Sequence, residues 1–197
     1  NYPEGQREDF EVELHPEHPE FGTRKVTFSR ELYVEQDDFM AEPVKKYFRL
    51  FPGNEVRFKS AYFIKCNSYD TDENGNVTCL HCTYDPESRG GNSPDGRKVK
   101  GTIHWVNAND CKQCEVRLYD RLFSAEEPGK NGDYFDDLNP DSLEVIENCL
   151  LEGGFENAKP GDTFQFMRNG YFCVDKDSTE DKLVFNRTVA LNSSWGK

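Results

Sequence analysis

The chain has 197 residues, with 24 Lys and Arg against 37 Asp and Glu, for a formal net charge of −13. That length fits one large domain or two small ones, and that charge excludes indiscriminate nucleic-acid binding, which requires a basic surface. No apolar run approaches the roughly 20 residues a membrane span needs. Hydrophobic residues make up only 35%, yet aromatics reach 13%, with 15 Phe and 9 Tyr, a balance that suits small β-rich cores.

Residues 1–20 are acidic and carry Pro3, Pro16 and Pro19. They read as a linker or extended arm. Asn1-Tyr2-Pro3-Glu4-Gly5 has no Met, basic n-region or apolar h-region, so it is no signal peptide and is expected to lie inside a longer protein. Strand alternation begins at Arg24–Ser29 and continues at Glu31–Val34. Glu35-Gln36-Asp37-Asp38 then offers acids to a helix start, with Pro43 in its first turns. Val44, Tyr47, Phe48 and Phe51 fall at i, i+3, i+4 and i+7, the spacing of one apolar helical face. Pro52-Gly53 ends that predicted helix.

Strands follow. In Glu55–Lys59, Val56 and Phe58 share one side and Arg57 and Lys59 the other, so burying the first pair projects the cations. Ala61–Cys66 continues the sheet, Asn74-Gly75 signals a tight hairpin, and Val77–Tyr84 returns from it. Residues 85–96 form a polar loop. Lys98–Val106 and Cys114–Tyr119 are further strands. Residues 124–141 are an acidic loop, and Ser142–Leu151 fits helix or strand. Thr163–Phe166 and Tyr171–Val174 flank Arg168-Asn169-Gly170 as a hairpin, and Leu183–Leu191 closes the chain. Many short strands with frequent turns predict β-barrels.

The window Lys45–Lys59 is basic within an acidic chain. Lys45, Lys46, Arg49, Arg57 and Lys59 stand against one acid, Glu55, and are interleaved with Tyr47, Phe48, Phe51 and Phe58. Cations contact phosphates and base edges while rings stack on splayed bases, so the mixture suits single-stranded RNA. The alternative is a half-buried helix and strand with a solvated basic edge. The surrounding acids would repel stray polyanions and leave this window as the landing place.

There are seven Cys, an odd number that favours reduced thiols in a cytoplasmic protein. Cys79-Leu80-His81-Cys82 and Cys111-Lys112-Gln113-Cys114 read C-x-x-C, the spacing of zinc ligands. Against zinc, the interval Thr83–Asp110 is long, and on a strand Cys79 and Cys82 face opposite sides. Structural thiols are the default reading. His15, His18, His81 and His104 show no metal spacing, no phosphate-cradling Gly-rich loop is present, and no catalytic constellation stands out.

Longer motifs are more specific. Asp95-Gly96-Arg97-Lys98-Val99-Lys100-Gly101-Thr102-Ile103-His104-Trp105-Val106 and Glu115-Val116-Arg117-Leu118-Tyr119-Asp120-Arg121-Leu122-Phe123 are the longest. With Gly22–Val26, Phe164–Phe166, Gly170–Cys173 and Phe185–Val189, they resemble the C-terminal anticodon-binding region of bacterial-type glutaminyl-tRNA synthetases. The resemblance implies a mainly β fold of two barrels like ribosomal protein L25, with a few short helices. The first barrel would span 21–112 and the second 113–197, with the first strand packing beside the second barrel and residues 1–20 leading from the missing catalytic part. It implies recognition of the tRNA(Gln) anticodon loop, with a pyrimidine first, U in the middle and G third. The catalytic signatures are not in this sequence, so ATP and Mg would serve only the full-length cytoplasmic enzyme, a monomer, and the fragment would carry no cofactor and no catalytic residue. Related glutamyl-tRNA synthetases, or a stand-alone L25-like RNA-binding protein, are the alternatives. By position, Lys46 and Arg49 correspond to contacts with the third base, Arg57 and Lys59 to the first nucleotide, and Arg24, Gln165 and Arg168 to the middle U.

Overall fold

A computed structural model describes residues 1–14, 18–93 and 95–191. The chain divides into two compact units. The first comprises Asn1–Cys111 with Glu152–Gly154, and the second Lys112–Leu151 with the chain from Phe155 onward. Thirteen strands and four short 3-10 turns account for the regular structure of the described residues. Among those residues no helix is long and apolar enough to cross a membrane.

In the first unit, β1 (Glu8–Glu13) pairs antiparallel with β2 (Thr23–Phe28). The acidic N-terminal stretch is therefore not an arm. Phe10 is buried, and Tyr2 packs edge-on against Phe28 and Tyr84. The apolar residues of β1 alternate with its acids, so the strand buries Phe10 while its Glu residues face water or partners. Glu8 is the exception that binds inward: its carboxylate accepts the Tyr62 hydroxyl at 2.6 Å and pairs with Arg89. Burial pushes the Tyr2 hydroxyl up to about 12, and neighbouring Glu8 adds to it.

A two-stranded ribbon joins β3 (Leu32–Tyr33) to β8 (Val106–Asn107). The main sheet has the order β6-β5-β4-β7, from β4 (Glu55–Phe58), β5 (Phe63–Thr71), β6 (Val77–Asp85) and β7 (Thr102–Ile103). The long strand expected over Lys98–Val106 is interrupted. Trp105 leaves the ladder to enter the core, where its indole N–H donates to the Lys59 carbonyl at 3.0 Å and its ring meets Phe28. The core is an edge-to-face cluster of Tyr2, Phe10, Phe28, Tyr62 and Trp105 over Val56, Phe58 and Ile103.

The helix expected between Glu35 and Phe51 does not form. Gln36–Asp38 makes one 3-10 turn, and Phe39 and Leu50 then form an isolated parallel bridge. Leu50 N–H donates to Asp38 O and Met40 N–H to Leu50 O, which holds the segment's two ends together as extended chain. Leu50 is thereby buried, whereas Val44 and Phe48, assigned to the helix's inner face, are 64% and 48% exposed.

The second unit is a five-stranded sheet of order β10-β9-β13-β12-β11. Its strands are β9 (Lys112–Tyr119), β10 (Leu143–Leu151), β11 (Thr163–Phe166), β12 (Gly170–Val174) and β13 (Leu183–Val189). The ambiguous segment 142–151 is thus a strand. Phe155, Phe164, Phe166, Phe172 and Phe185 build its core with Val116 and Val174. The fold is mainly β, as expected, but among the described residues these sheets do not close into barrels: the terminal strands of each order are not hydrogen-bonded to one another.

Candidate nucleic-acid interface

The site in the first unit starts from β4. Val56 and Phe58 are buried, so strand alternation turns Arg57 and Lys59 outward together, as the sequence pattern predicts. Arg57 is aimed by its surroundings. Its backbone N–H donates to Gly101 O at 2.8 Å, its Nε donates to Gly91 O at 2.6 Å, and its guanidinium lies 5.2 Å from the Phe63 ring centre. Nη1 reaches Thr102 Oγ1 only at 3.5 Å, which leaves the paired Nη edge for a bidentate contact. Gly91 adopts φ +83°, and a Cβ there would come within 3.0 Å of Arg57 Cδ, so this close support requires glycine. Lys59 is exposed, with no ion-pair partner among the described residues, and its backbone N–H continues the pairing to Ile103 O at 3.0 Å.

Arg97 also flanks the Phe63 ring, yet it is no candidate. Glu55, Asp85 and Asp95 all hold its guanidinium, which raises its already high pKa. The Ser93 hydroxyl, then Arg97, pull Asp95 down to about 2. An arginine already matched by three carboxylates has little left for a phosphate.

The segment before β4 carries the other cations. Lys46 is exposed in a turn closed by Tyr47 N–H to Val44 O, with a left-handed φ of 71°. Arg49 is an anchor as much as a contact: Nη1 donates to Asp37 O at 2.8 Å, and Nε lies 3.3 Å from the carboxylate of fully buried Asp38. Phe48 exposes its ring with Lys100 Nζ 5.0 Å from the ring centre. Phe48 O also packs against Gly101, whose own carbonyl receives Arg57 N–H, so the Lys46–Arg49 turn and β4 meet across one glycine. The sequence pattern places Phe48 among the aromatics of the basic window without assigning it a contact, and does not single out Lys100. The assumed helix had turned Phe48 inward.

Arg24, on β2, is held by Glu152 and by the Gly153 carbonyl, the latter at 3.1 Å. Glu152 also meets His104 Nε2 at 3.3 Å. Burial pushes the Glu152 carboxyl up, but His104 and Arg24 outweigh it and hold it below its ordinary value. His104 precedes Trp105, which is tied to the Lys59 carbonyl, so a continuous set of contacts connects Arg24 with Lys59.

In the second unit, Gln165 is exposed on β11, because Phe164 and Phe166 turn inward on either side of it. Across the hairpin it faces Tyr171, whose ring is 39% exposed. Arg168 stands exposed at the turn, with φ 66°. Gln165, Tyr171 and Arg168 thus offer an amide, a ring and a cation on one hairpin. Tyr171 was not singled out from sequence, although its register opposite Gln165 follows once the hairpin is set.

The C-x-x-C pairs do not act as pairs. Cys79 is exposed, whereas Cys82 is half-buried on the other face of β6, opposite Cys66 of β5. Burial, with Cys66 beside it, pushes the Cys82 thiol up to about 12. Cys111 reaches Ala108 O, and buried Cys114 lies opposite Cys149, whose hydrogen bond, with burial, raises the Cys114 thiol.

Against this geometry, comparison with known proteins is specific. Two models described as the anticodon-binding domain of class I tRNA synthetases (E and Q) match, one over residues 1–85 and another over 102–175. The first includes β1, in keeping with its place in the folded unit. The chain belongs to this family of anticodon-binding domains. It is 52% identical over 197 residues to a glutamine–tRNA ligase of Bradyrhizobium diazoefficiens, covering 100% of this chain and 35% of that protein. It is 53% identical over 197 residues to one of Clostridium perfringens, covering 99% and 36%. With one of Pseudomonas putida it shares 51% over 200 residues, covering 100% and 35%. The chain spans about a third of the length of these relatives.

Proposed function

We propose that this chain is the anticodon-reading region of a glutaminyl-tRNA synthetase. The longer cytoplasmic enzyme, a monomer, attaches glutamine to tRNA(Gln) with ATP and Mg through a catalytic domain outside this sequence. The observation that carries the reading is the outward pair Arg57 and Lys59 on a strand that meets, across Gly101, the segment carrying Lys46 and the exposed Phe48 ring. Exposed cations and an exposed ring on adjoining segments fit unstacked loop bases, and the acidic remainder discourages other polyanions. The two units act as two anticodon-binding modules divided near residue 112.

Within that reading, Lys46 and Arg49 serve the third base, Arg57 and Lys59 the first nucleotide, and Arg24, Gln165 and Arg168 the middle U. Arginine donors suit the O6 and N7 of guanine, and an amide with both donor and acceptor suits uracil. The neutralisation of Arg24 by Glu152 favours a supporting role for it.

Titration of a labelled glutamine-type anticodon stem-loop tests this. Arg57→Ala is expected to weaken binding by roughly 1–3 kcal/mol. Stem-loops altered at the third base should bind more weakly than the parent. An Arg57→Ala titration that superimposes on the parent removes Arg57 from the site, and equal binding of all third bases removes the glutamine assignment.

A further inference from the structure

The hairpin of β5 and β6 carries a cluster that anticodon binding does not use. Asp70, Cys79 and His81 are all exposed, and one donor atom from each lies within 4.8 Å of the other two. His81 Nε2 is 2.7 Å from the Asp70 carboxylate. Asp70 is directly opposite Cys79 in the antiparallel pairing, and His81 lies two residues along β6 on the same face as Cys79.

A bulge makes this cluster. Cys66 faces Cys82, but the register then slips so that Ser68, not Asn67, faces His81. Asn67 and Ser68 are accordingly exposed in succession. Without the slip Tyr69 would face Cys79, and Asp70 would turn to the opposite side of the sheet from Cys79 and His81. The one-residue bulge therefore puts a carboxylate on the same face as the thiol and the imidazole. Every charged residue between Cys66 and Cys82 is acidic: Asp70, Asp72 and Glu73. Asp72 is occupied by Asn74 and Asn76, which leaves Asp70 as the carboxylate facing the thiol and imidazole.

We infer that Asp70, Cys79 and His81 form a binding site for a zinc-class divalent cation, with water in the fourth position. One sulfur, one nitrogen and one oxygen ligand is a donor set that zinc accepts in tetrahedral geometry. Bonds of about 2.0–2.3 Å put tetrahedral donors about 3.2–3.6 Å apart, so small side-chain rotations bring these groups onto one ion. The cation replaces the hydrogen bond between His81 and Asp70, and the proton between them is released to the buffer. In the bound state the neutral imidazole coordinates through Nε2 and carries its one proton on Nδ1, and the Cys79 thiol has also passed its proton to the buffer. The site differs from a C-x-x-C site: its thiol partner is not Cys82, which faces the core. Three exposed protein ligands leave one coordination position open to an outside donor.

Cobalt chloride titrated into the reduced chain reads this directly, through the thiolate-to-cobalt charge-transfer absorption and the tetrahedral visible bands. Saturation at one ion per chain, with displacement by zinc chloride, is expected. Cys79→Ser should abolish the charge-transfer band, and His81→Gln should raise the Kd at least about tenfold, since even outer-shell partners of a metal site cost that much. Cys82→Ser should leave the band unchanged. Zinc should also protect Cys79 from alkylation, mapped by mass spectrometry. A band that survives Cys79→Ser or is lost in Cys82→Ser, an unchanged Kd in His81→Gln, or no band at millimolar cobalt overturns the site. The three positions are exposed, so the variants are expected to unfold at the parent temperature, which a melting curve verifies.

Discussion

Replacing Gly101 by alanine tests how the candidate interface is assembled. Gly101 is buried, and a Cβ on it would lie 1.9 Å from Phe48 O and 3.1 Å from Val56 Cγ1. Real Cβ contacts do not fall under 3.0 Å, so the two backbones must part by about an ångström. Neither yields freely. Gly101 O accepts Arg57 N–H at 2.8 Å, and the Phe48 segment is tied down at Leu50 by two backbone hydrogen bonds. Overpacking of this kind costs about 1–3 kcal/mol, and for a chain of this size each kcal/mol lowers Tm by about 2–4 °C. Gly101→Ala should therefore lower the melting temperature of the first unit by about 4–8 °C, taking ~2 kcal/mol as the cost. It should also weaken anticodon stem-loop binding, because the turn carrying Lys46 and Arg49 moves relative to Arg57. Circular dichroism melting and fluorescence anisotropy measure the two effects. An unchanged Tm would refute the close backbone approach, and a lowered Tm with unchanged binding at a temperature where the variant is folded would refute the role of that turn.

Glu152→Ala removes the carboxylate that faces Arg24 and His104, and should destabilise the first unit by about 2–4 kcal/mol in urea unfolding. The same group sets a pH dependence. Its carboxyl sits below its ordinary value in the folded protein, so its contribution is full above the unfolded value and is lost as pH falls through the folded one. Urea midpoints should fall from about pH 5 downward, and Glu152→Gln should flatten that fall; parallel curves would show that other carboxylates carry it. Val44→Ser should change stability by no more than about 0.5 kcal/mol, since the side chain is largely in water. A loss several times larger would restore a buried face at that position.

Much of the strand pattern could be read in advance, because alternation is a local property. Glu55–Phe58 turned Arg57 and Lys59 outward as its pattern required, and the hairpins at Asn74-Gly75 and Arg168-Asn169-Gly170 formed where their turn residues stand. The opposite orientation of Cys79 and Cys82 followed from the same rule. The errors arose where long-range partners outweighed local preference. Val44, Tyr47, Phe48 and Phe51 have helical spacing, but Leu50 has a bridge partner in Phe39, and that pairing imposes extended chain. In β1 the acids masked the signal of Phe10 and Val12, which became decisive only when β2 supplied a partner.

The sequence by itself determined the family, through motifs long enough to be specific, the mainly β class, and the basic-aromatic character of Lys45–Lys59. Only the tertiary structure decided which of those groups are available. It committed Arg97 to three carboxylates and Arg24 to Glu152, brought Lys100 onto Phe48, and set Tyr171 opposite Gln165. It also moved Asp70 onto the face of Cys79 and His81 by a single bulged residue. The physical reason is the same in each case. Residue type fixes what a side chain can do, but charge pairing, register and burial depend on partners distant in the chain, and no local pattern encodes them.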